Sequence, residues 1–316
     1  MKNINHKKFL IFCFCVLFIS LGYIKLFYFN GEDYSPEPNA RNWMDYLPDS
    51  ALIVNINFPG THDSGTSKVT TLTELYAKCQ TKSISNQLNS GIRYLDLRIN
   101  EDGHINHDGI SCWKSFSKKL YIQDVEKYVT DFLKGNPSET VILQIKSEGK
   151  GNCANIVNDK LTTNNLYYRK NRDIDTLRLG DVRGKFIIFS RQSGIKYAYN
   201  CYNWANNVSC GDLSIDFQSG YLQDKYNSTR PNKKEIIRKF YSKVWEDSNN
   251  AEKPVINFTS FTQIPFPLSS LYLDLNKYMS DFIAANNGKK LGFVLMDNPK
   301  NQLIKKIYQT NYNRNL

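Results

Sequence analysis

The sequence predicts an α/β fold in which a single closed barrel of parallel strands is covered by helices. Short apolar segments alternate with longer segments whose apolar residues recur every three or four positions, which is the order of a repeated strand–helix unit. The chain has 316 residues, and we expect residues 45–316 to form one catalytic barrel domain of ordinary size for this architecture. The sequence contains no recognisable internal repeat or linker.

The predicted strands are short runs of apolar and β-branched residues, as expected for strands buried between helices. They are 51–58, 94–99, 140–146, 185–190, 255–261 and 291–296. The helices predicted between them cover 120–134, 233–247 and 271–285, where apolar residues form one stripe that packs on the sheet. The Asn-rich residues 198–230 are predicted to form long loops around the mouth of the barrel.

The N-terminal residues 1–30 have the features of a targeting segment. Lys2, Lys7 and Lys8 precede an uncharged apolar run at 9–24, which suits the core of a signal peptide and is at the short end for spanning a bilayer of ~30 Å. If the segment is cleaved, the domain is secreted. If the segment is retained, its basic N-terminus stays on the cytoplasmic side, and the apolar run anchors the domain on the outer side of the membrane.

The charge balance favours an anionic membrane surface as partner. Lys and Arg number 41 against 30 Asp and Glu, for a net charge of +11, and each basic residue close to such a surface contributes about 1 kcal/mol. The lysines are scattered and form no basic helix or aromatic–basic RNA motif, so we expect no nucleic-acid partner. We expect a monomer. Trp113, Phe116 and Trp204 are candidates for aromatic residues that either enter the lipid interface or are buried.

The chain contains 7 cysteines. Cys13 and Cys15 lie in the apolar segment, and the domain holds Cys79, Cys112, Cys153, Cys201 and Cys210. For an exported domain we expect one or two disulfides. The favoured pair is Cys201–Cys210, which flanks a short loop. No Cys or His spacing indicates a zinc site.

The most informative motif is FPGTHDSGTS at 58–67, which places His62 and Asp63 directly after a predicted strand. The flanking Gly60 and Gly65 permit a sharp turn, so that His62 points out of the strand end where a barrel presents catalytic groups. A second strand-to-loop unit at 94–109 carries Asp96, Arg98, His104 and His107.

Two imidazoles with a guanidinium between them suit the cleavage of a phosphodiester. One histidine can take a proton from the nucleophile and the other can protonate the leaving oxygen. The planar guanidinium can hold the phosphate and stabilise charge that develops in the transition state.

At these residues the chain resembles the bacterial, metal-independent phosphatidylinositol-specific phospholipases C, the X-domain family. The resemblance is carried by six blocks in the family's order: PGTHDSGT at 59–66, QLNSGIRYLDLRI at 87–99 followed by NHDG, ETVILQIKSEG at 139–149, VRGKFIIFSRQSG at 182–194, LQDKY at 222–226 and LGFVLMDNP at 291–299. It implies a distorted β/α barrel of the TIM type.

The resemblance also implies catalytic roles. His62 would be the general base, Asp297 would orient it, and His107 would be the general acid. Arg98 would occupy the position where calcium-dependent relatives carry a metal ligand, with Asp63 supporting it, and so the chain would need no metal or other cofactor. Since the family usually has His-Gly where this chain has His107-Asp108-Gly109, His104 remains a competitor for the acid.

Four further positions fall on family residues that contact the hydroxyls and the ring of inositol. They are Lys146, Arg191, Asp224 and Tyr226. The activity implied is that of a phosphatidylinositol diacylglycerol-lyase, which releases diacylglycerol and inositol 1,2-cyclic phosphate. Glycosylphosphatidylinositol anchors are a second implied substrate if the pocket is open enough. The alternatives are a non-catalytic lipid-binding protein on the same fold and a glycerophosphodiester phosphodiesterase, which would require a cluster of metal-binding carboxylates.

Overall fold

The computed structural model describes residues 40–69, 73–115, 117–149 and 151–316, all within the compact unit Tyr34–Leu316. The predicted targeting segment, Cys13, Cys15 and Phe116 lie outside these residues. The described strands are β1 (Phe58–Thr61), β2 (Tyr94–Ile99), β3 (Asn106–His107), β4 (Ile110–Ser111), β5 (Trp113–Ser115), β6 (Lys118–Lys119), β7 (Val141–Ser147), β8 (Phe186–Ser190), β9 (Tyr199–Tyr202), β10 (Gly211–Ile215), β11 (Gln218–Gln223), β12 (Val255–Phe258) and β13 (Phe293–Met296).

Nine of these strands close a barrel in the order β1, β13, β12, β11, β10, β9, β8, β7 and β2. The predicted single α/β barrel is therefore confirmed. Strands β3 and β4, and β5 and β6, form two separate two-stranded sheets. They lie in the chain between β2 and the next barrel strand.

The described helices are α1 (Glu74–Ala77), α2 (Ile84–Asn89), α3 (Ile122–Gly135), α4 (Ala154–Lys160), α5 (Leu179–Val182), α6 (Arg230–Glu246), α7 (Leu268–Ala285) and α8 (Asn301–Gln309). The three predicted helices correspond to α3, α6 and α7, with bounds shifted by at most three residues. Within the described residues, no helix combines the length and the apolar character needed to cross a membrane.

The prediction of an all-parallel barrel with long loops at 198–230 was wrong. This region forms β9, β10 and β11, and β10 pairs antiparallel with both of its neighbours. The turn of the β10–β11 hairpin lies at Asp216 and Phe217, whose φ angles are 47° and 73°. Asp-Phe lacks the glycine that usually marks such a turn in a sequence, so the hairpin gave no local signal.

The first strand was also placed wrongly, because 51–57 is mostly buried but forms no strand. Ile53–Asn55 forms a short 3₁₀ helix, and the side chain of Asn57 meets the chain ahead of β13: its Oδ1 accepts from the amides of Leu291 at 2.6 Å and Gly292 at 3.0 Å. Strand pairing therefore begins only at Phe58, and His62 follows the end of β1 directly.

The expected disulfide between Cys201 and Cys210 is absent, and all five cysteines of the described chain are free. The register explains this, because Cys201 of β9 pairs with Ile215 at the far end of β10. Cys210 lies five residues before Ile215, or roughly 16 Å along an extended chain. Disulfide formation needs Cα atoms within about 7 Å.

An aromatic cluster fills the barrel between its strands. The ring of Phe293 lies 5.3 Å from that of Phe58, 5.2 Å from Tyr94 and 5.6 Å from Phe189, measured between centroids. All four side chains are buried. The barrel is therefore a packed core, and polar side chains meet at the carboxyl ends of its strands.

A buried ion pair ties the residues before β2 to those before β7. Arg93 Nε lies 2.8 Å from Glu139 Oε2, and both side chains are fully buried. The remaining guanidinium nitrogens donate to four backbone carbonyls, those of Ala40, Arg41, Leu88 and Ile92. Glu139 Oε1 accepts from the amide of Met44 at 3.0 Å, so the pair also fixes the segment that precedes the barrel.

We expect Glu139→Ala to destabilise the protein by about 3–5 kcal/mol, because it leaves the charge of Arg93 buried without its partner. The free energy of unfolding in urea measures this. Asp131→Ala is the matched control, since it breaks the exposed pair of Lys127 and Asp131. The control should unfold at the same urea concentration as the wild type. Equal midpoints for all three proteins would contradict the importance of the buried pair.

Candidate active site

The first and last strands bring His62 and Asp297 together. Strands β1 and β13 run parallel with Thr61 opposite Met296, so the residues that come directly after them are neighbours. His62 Nδ1 lies 2.8 Å from Asp297 Oδ1. Gln80 Nε2 donates to the carbonyls of His62 at 2.7 Å and Met296 at 2.9 Å, which fixes the backbone beneath the pair.

The imidazole of His62 lies between two carboxylates. Its Nε2 is 3.1 Å from Asp63 Oδ2, while its Nδ1 contacts Asp297. Burial alone lowers the pKa of His62, but the negative charges of Asp63 and then Asp297 outweigh burial and raise it to about 9. The free protein therefore holds a proton on His62 at neutral pH, and the deprotonated ring is a stronger base than an ordinary imidazole.

Arg98 lies within a set of three carboxylates. Its Nε is 2.8 Å from Asp63 Oδ1, its Nη2 is 3.4 Å from Asp96 Oδ2 and its Nη1 is 3.4 Å from Glu148 Oε1. Burial opposes the charged form, but these carboxylates, Asp63 first, raise the pKa of Arg98 well above its ordinary value. Arg98 Nη2 is also 3.3 Å from His62 Nε2, which places a permanent positive charge beside the imidazole.

His107 contacts Asp63 through the same oxygen that His62 contacts. Its Nε2 is 3.2 Å from Asp63 Oδ2, its Nδ1 is 3.0 Å from the carbonyl of Ala77, and the centroids of the His62 and His107 rings are 6.4 Å apart. Both ring nitrogens of His107 therefore face oxygen atoms that can accept a hydrogen bond. Asp108 and Gly109, with φ of 48° and 82°, form the hairpin turn after it, so the residue inserted between His and Gly is part of this turn.

His104 is not part of this cluster. It is buried at 2% exposure, its Nε2 is 3.2 Å from the carbonyl of Cys112, and its ring packs on Tyr121 with centroids 5.4 Å apart. Burial lowers its pKa. The structure thus places the two histidines of the HINHDG segment in different environments, and only His107 faces His62.

The four predicted ring-binding residues surround the cluster. Lys146 Nζ lies 3.0 Å from Glu148 Oε1. Arg191 stacks on Trp204 with its Cζ 4.2 Å from the ring centroid. Trp204 Nε1 donates to Asp224 Oδ2 at 3.0 Å.

Tyr226 completes the set, since it lines a cavity of about 130 Å³ together with His62, His107 and Asp297. Tyr226 is 43% exposed, so its ring is free to meet a ligand at the mouth.

The sequence did not identify Glu148 as a site residue, and it did not predict the contacts of Trp204 with Arg191 and Asp224. Glu148 contacts both Arg98 and Lys146, so it links the guanidinium to the ring-binding residues. Its position two residues after Lys146, where β7 ends, was the available signal. Trp204 is half-buried between Arg191 and Asp224 and supports these two side chains.

Three groups of potential metal ligands also occur within the described residues. They are His62, Cys79 and Asp297; Asp63, Cys79 and His107; and His62, Asp63 and Asp96, with ligand atoms within 4.8 Å of one another in each group. Calcium prefers six to eight oxygen ligands, whereas these groups mix nitrogen and sulfur with carboxylates. Two of those carboxylates, Asp63 and Asp96, contact the guanidinium of Arg98, whose charge repels a cation.

Comparison with known proteins gives consistent matches. Residues 56–192 match the family model "Phosphatidylinositol-specific phospholipase C, X domain". The chain is 30% identical over 326 residues to the 1-phosphatidylinositol phosphodiesterase of Listeria monocytogenes, with 96% of each chain covered. It is 25% identical to the protein of the same name from Staphylococcus aureus strain Newman, with 82% of this chain and 88% of that protein covered.

Solved structures resemble the chain over nearly their whole length. The phosphatidylinositol-specific phospholipase C of L. monocytogenes superposes with a TM-score of 0.72 at 26% identity, covering 86% of this chain and 98% of that one. A variant of the S. aureus enzyme gives a TM-score of 0.74 at 22% identity, covering 88% and 98%. At 22% identity, the match to the S. aureus structure supports the fold alone.

We expect Asp297→Asn to lower the pKa of His62 from about 9 toward its ordinary 6.5, because the amide carries no charge. NMR titration of the imidazole protons measures this, with His104 as the internal control. A pKa raised by folding adds stability that is complete below about pH 6.5 and is lost as the pH rises through about 9. The stability difference between variant and wild type should therefore be largest below pH 6.5. An unchanged pKa of His62 in Asp297→Asn would refute the conclusion that the charge of Asp297 helps to raise it.

Proposed function

This chain belongs to the phosphatidylinositol-specific phospholipase C X-domain family, and from its site we propose that it cleaves phosphatidylinositol to diacylglycerol and inositol 1,2-cyclic phosphate. The observation that carries the proposal is that two imidazoles contact the same oxygen of Asp63, with Arg98 bound to the other oxygen of that carboxylate. This set supplies a base, an acid and a phosphate-binding group that all contact one carboxylate.

In the first step, His62 takes the proton of the inositol 2-hydroxyl, which attacks its own phosphate. The reactive form of His62 is the neutral ring, so the active fraction rises as the pH approaches its pKa. Asp297 holds the ring in place through Nδ1 and stabilises the imidazolium that forms. Because the nucleophile belongs to the substrate, proximity contributes up to ~7–11 kcal/mol in ideal geometry.

Arg98 binds the phosphate and balances the negative charge that grows on it. Its guanidinium is held by Asp63, Asp96 and Glu148, so it needs little reorganisation when the transition state forms. His107 then gives a proton to the departing diacylglycerol oxygen. With the roles of the two histidines exchanged, water can slowly hydrolyse the cyclic product.

The inositol ring is proposed to bind Lys146, Arg191, Asp224 and Tyr226. Two cations and one carboxylate can hydrogen-bond the ring hydroxyls, and Tyr226 at the cavity mouth can stack on the ring face. Trp204 holds Arg191 and Asp224 at a fixed separation. The spacing of these groups thus favours a polyhydroxylated ring over a choline or ethanolamine headgroup.

The substrate reaches the site from a membrane surface. Ile264 and Phe266, 89% and 42% exposed, lie close in the chain to Phe261 and Thr262, which line the cavity. Exposed apolar side chains beside an active site suit insertion into a lipid interface. We propose that a monomer acts on phosphatidylinositol membranes after export, with residues 1–30 as a cleaved signal or a retained anchor.

The first test measures release of inositol 1,2-cyclic phosphate from phosphatidylinositol vesicles in EDTA. We expect full activity with the chelator and a loss of about a hundredfold or more in Arg98→Ala, because a preorganised transition-state contact is lost. Added calcium should not restore this variant. Arg98→Lys should lose less, since it keeps the charge without the planar fork.

Other outcomes of the same assay identify the alternatives. Activity that is lost with EDTA and restored by calcium would indicate a metal-dependent phosphodiesterase. Vesicle binding with no cyclic product would indicate a lipid-binding protein without activity.

A second test separates the acid from the base. His62→Ala and His107→Ala should each remove nearly all cleavage, and the double variant should be little worse, because the pair acts as a unit. A nitrophenyl ester of inositol 1-phosphate should partly rescue His107→Ala but not His62→Ala, since a good leaving group eases only the acid's task.

The matched control for this test is His104→Gln, which keeps a donor for the carbonyl of Cys112 and should retain activity. Loss of activity in a folded His104→Gln, or equal rescue of the two alanine variants, would contradict the assigned roles.

A further inference from the structure

Lys233 is a buried lysine that the acid–base cluster does not use. Its side chain lies on α6 at 0% exposure, and its Nζ donates to Gln223 Oε1 at 2.9 Å and to the carbonyl of Lys225 at 2.8 Å. Burial lowers the pKa of Lys233 to about 7, against the opposing charges of Asp224 and then Asp297. A neutral amine has two N–H donors, and the two acceptors use both, so the contacts persist when the charge is lost.

The two acceptors belong to the segment that leaves the end of β11. Gln223 Oε1 accepts from the amide of Lys225 at 2.7 Å, while its Nε2 donates to Asn257 Oδ1 at 2.7 Å and to the carbonyl of Phe258 at 2.6 Å. The Gln223 side chain thus anchors the segment to β12, and Lys233 bonds both to that side chain and to the backbone two residues later.

This segment, 223–226, carries Asp224 and Tyr226. The amide of Asp224 donates to the carbonyl of Val208 at 2.9 Å, and the carbonyl of Tyr226 accepts from the amide of Thr262 at 2.7 Å. Lys225 lies between them, and its carbonyl is the group that Lys233 holds from inside the fold. Loss of that bond would free the middle of the segment.

We propose that Lys233 is a positioning residue that fixes segment 223–226 and thereby the Asp224 and Tyr226 side chains that bind the headgroup ring. The inference rests on the proposed function for the identity of that ring. The reacting groups His62, Asp297, Arg98 and His107 come from other strands, and their close contacts join them to one another and to Asp63. Removal of Lys233 should therefore weaken ring binding more than it slows the chemical step.

The test compares Lys233→Met, Lys233→Gln and Lys234→Met in the full chain. Lys233→Met keeps an unbranched apolar stem of similar volume but removes both donors. We expect KM for phosphatidylinositol to rise about tenfold or more, because a mobile segment 223–226 weakens substrate binding by about as much as the loss of one hydrogen bond to the ring. We expect kcat to stay within about threefold of the wild type. Lys233→Gln keeps a neutral donor, so its KM should lie between those of the wild type and Lys233→Met.

Lys234→Met is the matched control on the next residue of the same helix. Lys234 pairs with Asp274 of α7, where both side chains are partly exposed, so the KM of this variant should equal that of the wild type. An unchanged KM in a folded Lys233→Met overturns the proposal. A kcat loss as large as the KM change overturns it as well, as does an equal effect of the control.

Hydrogen exchange separates this proposal from the proposed function, because it needs no substrate. The amides of Asp224 and Lys225 should exchange about tenfold faster in Lys233→Met than in the wild type, while the amides of β1 keep their rates. Unchanged exchange at 224 and 225 overturns the positioning role even if the enzyme cleaves phosphatidylinositol. A wild type without cleavage would refute the proposed function, and the exchange rates would still decide the role of Lys233.

Discussion

The shared contacts of the Asp63 carboxylate are the interaction on which the site depends. Its Oδ1 lies 2.8 Å from Arg98, and its Oδ2 lies 3.1 Å from His62 and 3.2 Å from His107. A buried unpaired carboxylate costs several kcal/mol. Burial therefore opposes its charge, but Arg98 and then His107 hold the pKa of Asp63 well below its usual range. One carboxylate thus sets the separation of the two imidazoles and the guanidinium, and its contacts with these three groups in turn make its burial possible.

Closure of the barrel supplies the rest of the geometry. Strand β1 lies between β13 and β2, so the residues at its end have Asp297 on one side and the Asp96 and Arg98 of β2 on the other. The aromatic rings below exclude water from the strand ends, which strengthens each charge contact. The same closeness raises the pKa of His62 to about 9, which makes the neutral ring a stronger base but a minor fraction of the molecules below that pH.

The sequence predicted the strands that carry the proposed reacting residues better than the segment that leads to two of the proposed ring-binding residues. His62, Arg98 and Asp297 each occur at or just after a strand of apolar residues, and parallel strands of a closed barrel bring such positions together without further information. The hairpin of β10 and β11 has no Gly-containing turn, and 51–57 is largely apolar but forms no strand, so neither feature followed from local patterns. The separation of Cys201 from Cys210 depends on strand register, which spacing in the sequence does not reveal.

The two sets of residues also differ in how the fold holds them. Strands β1, β2 and β13 are parallel, and the residues at their carboxyl ends are held by strand pairing and by their direct contacts with one another. The antiparallel strands β9 to β11 replace a helical connection, and the segment after β11 is held by a buried polar network of Lys233, Gln223, Asn257 and the Tyr241 hydroxyl.

Such networks stabilise little in net terms but permit few alternative arrangements, because each unsatisfied member would be costly. We infer that geometric precision in the segment after β11 comes from hydrogen bonds rather than from apolar packing. The side chains proposed to bind the ring should therefore respond to single polar substitutions behind them, whereas the proposed acid–base pair should respond mainly to changes in its own carboxylates.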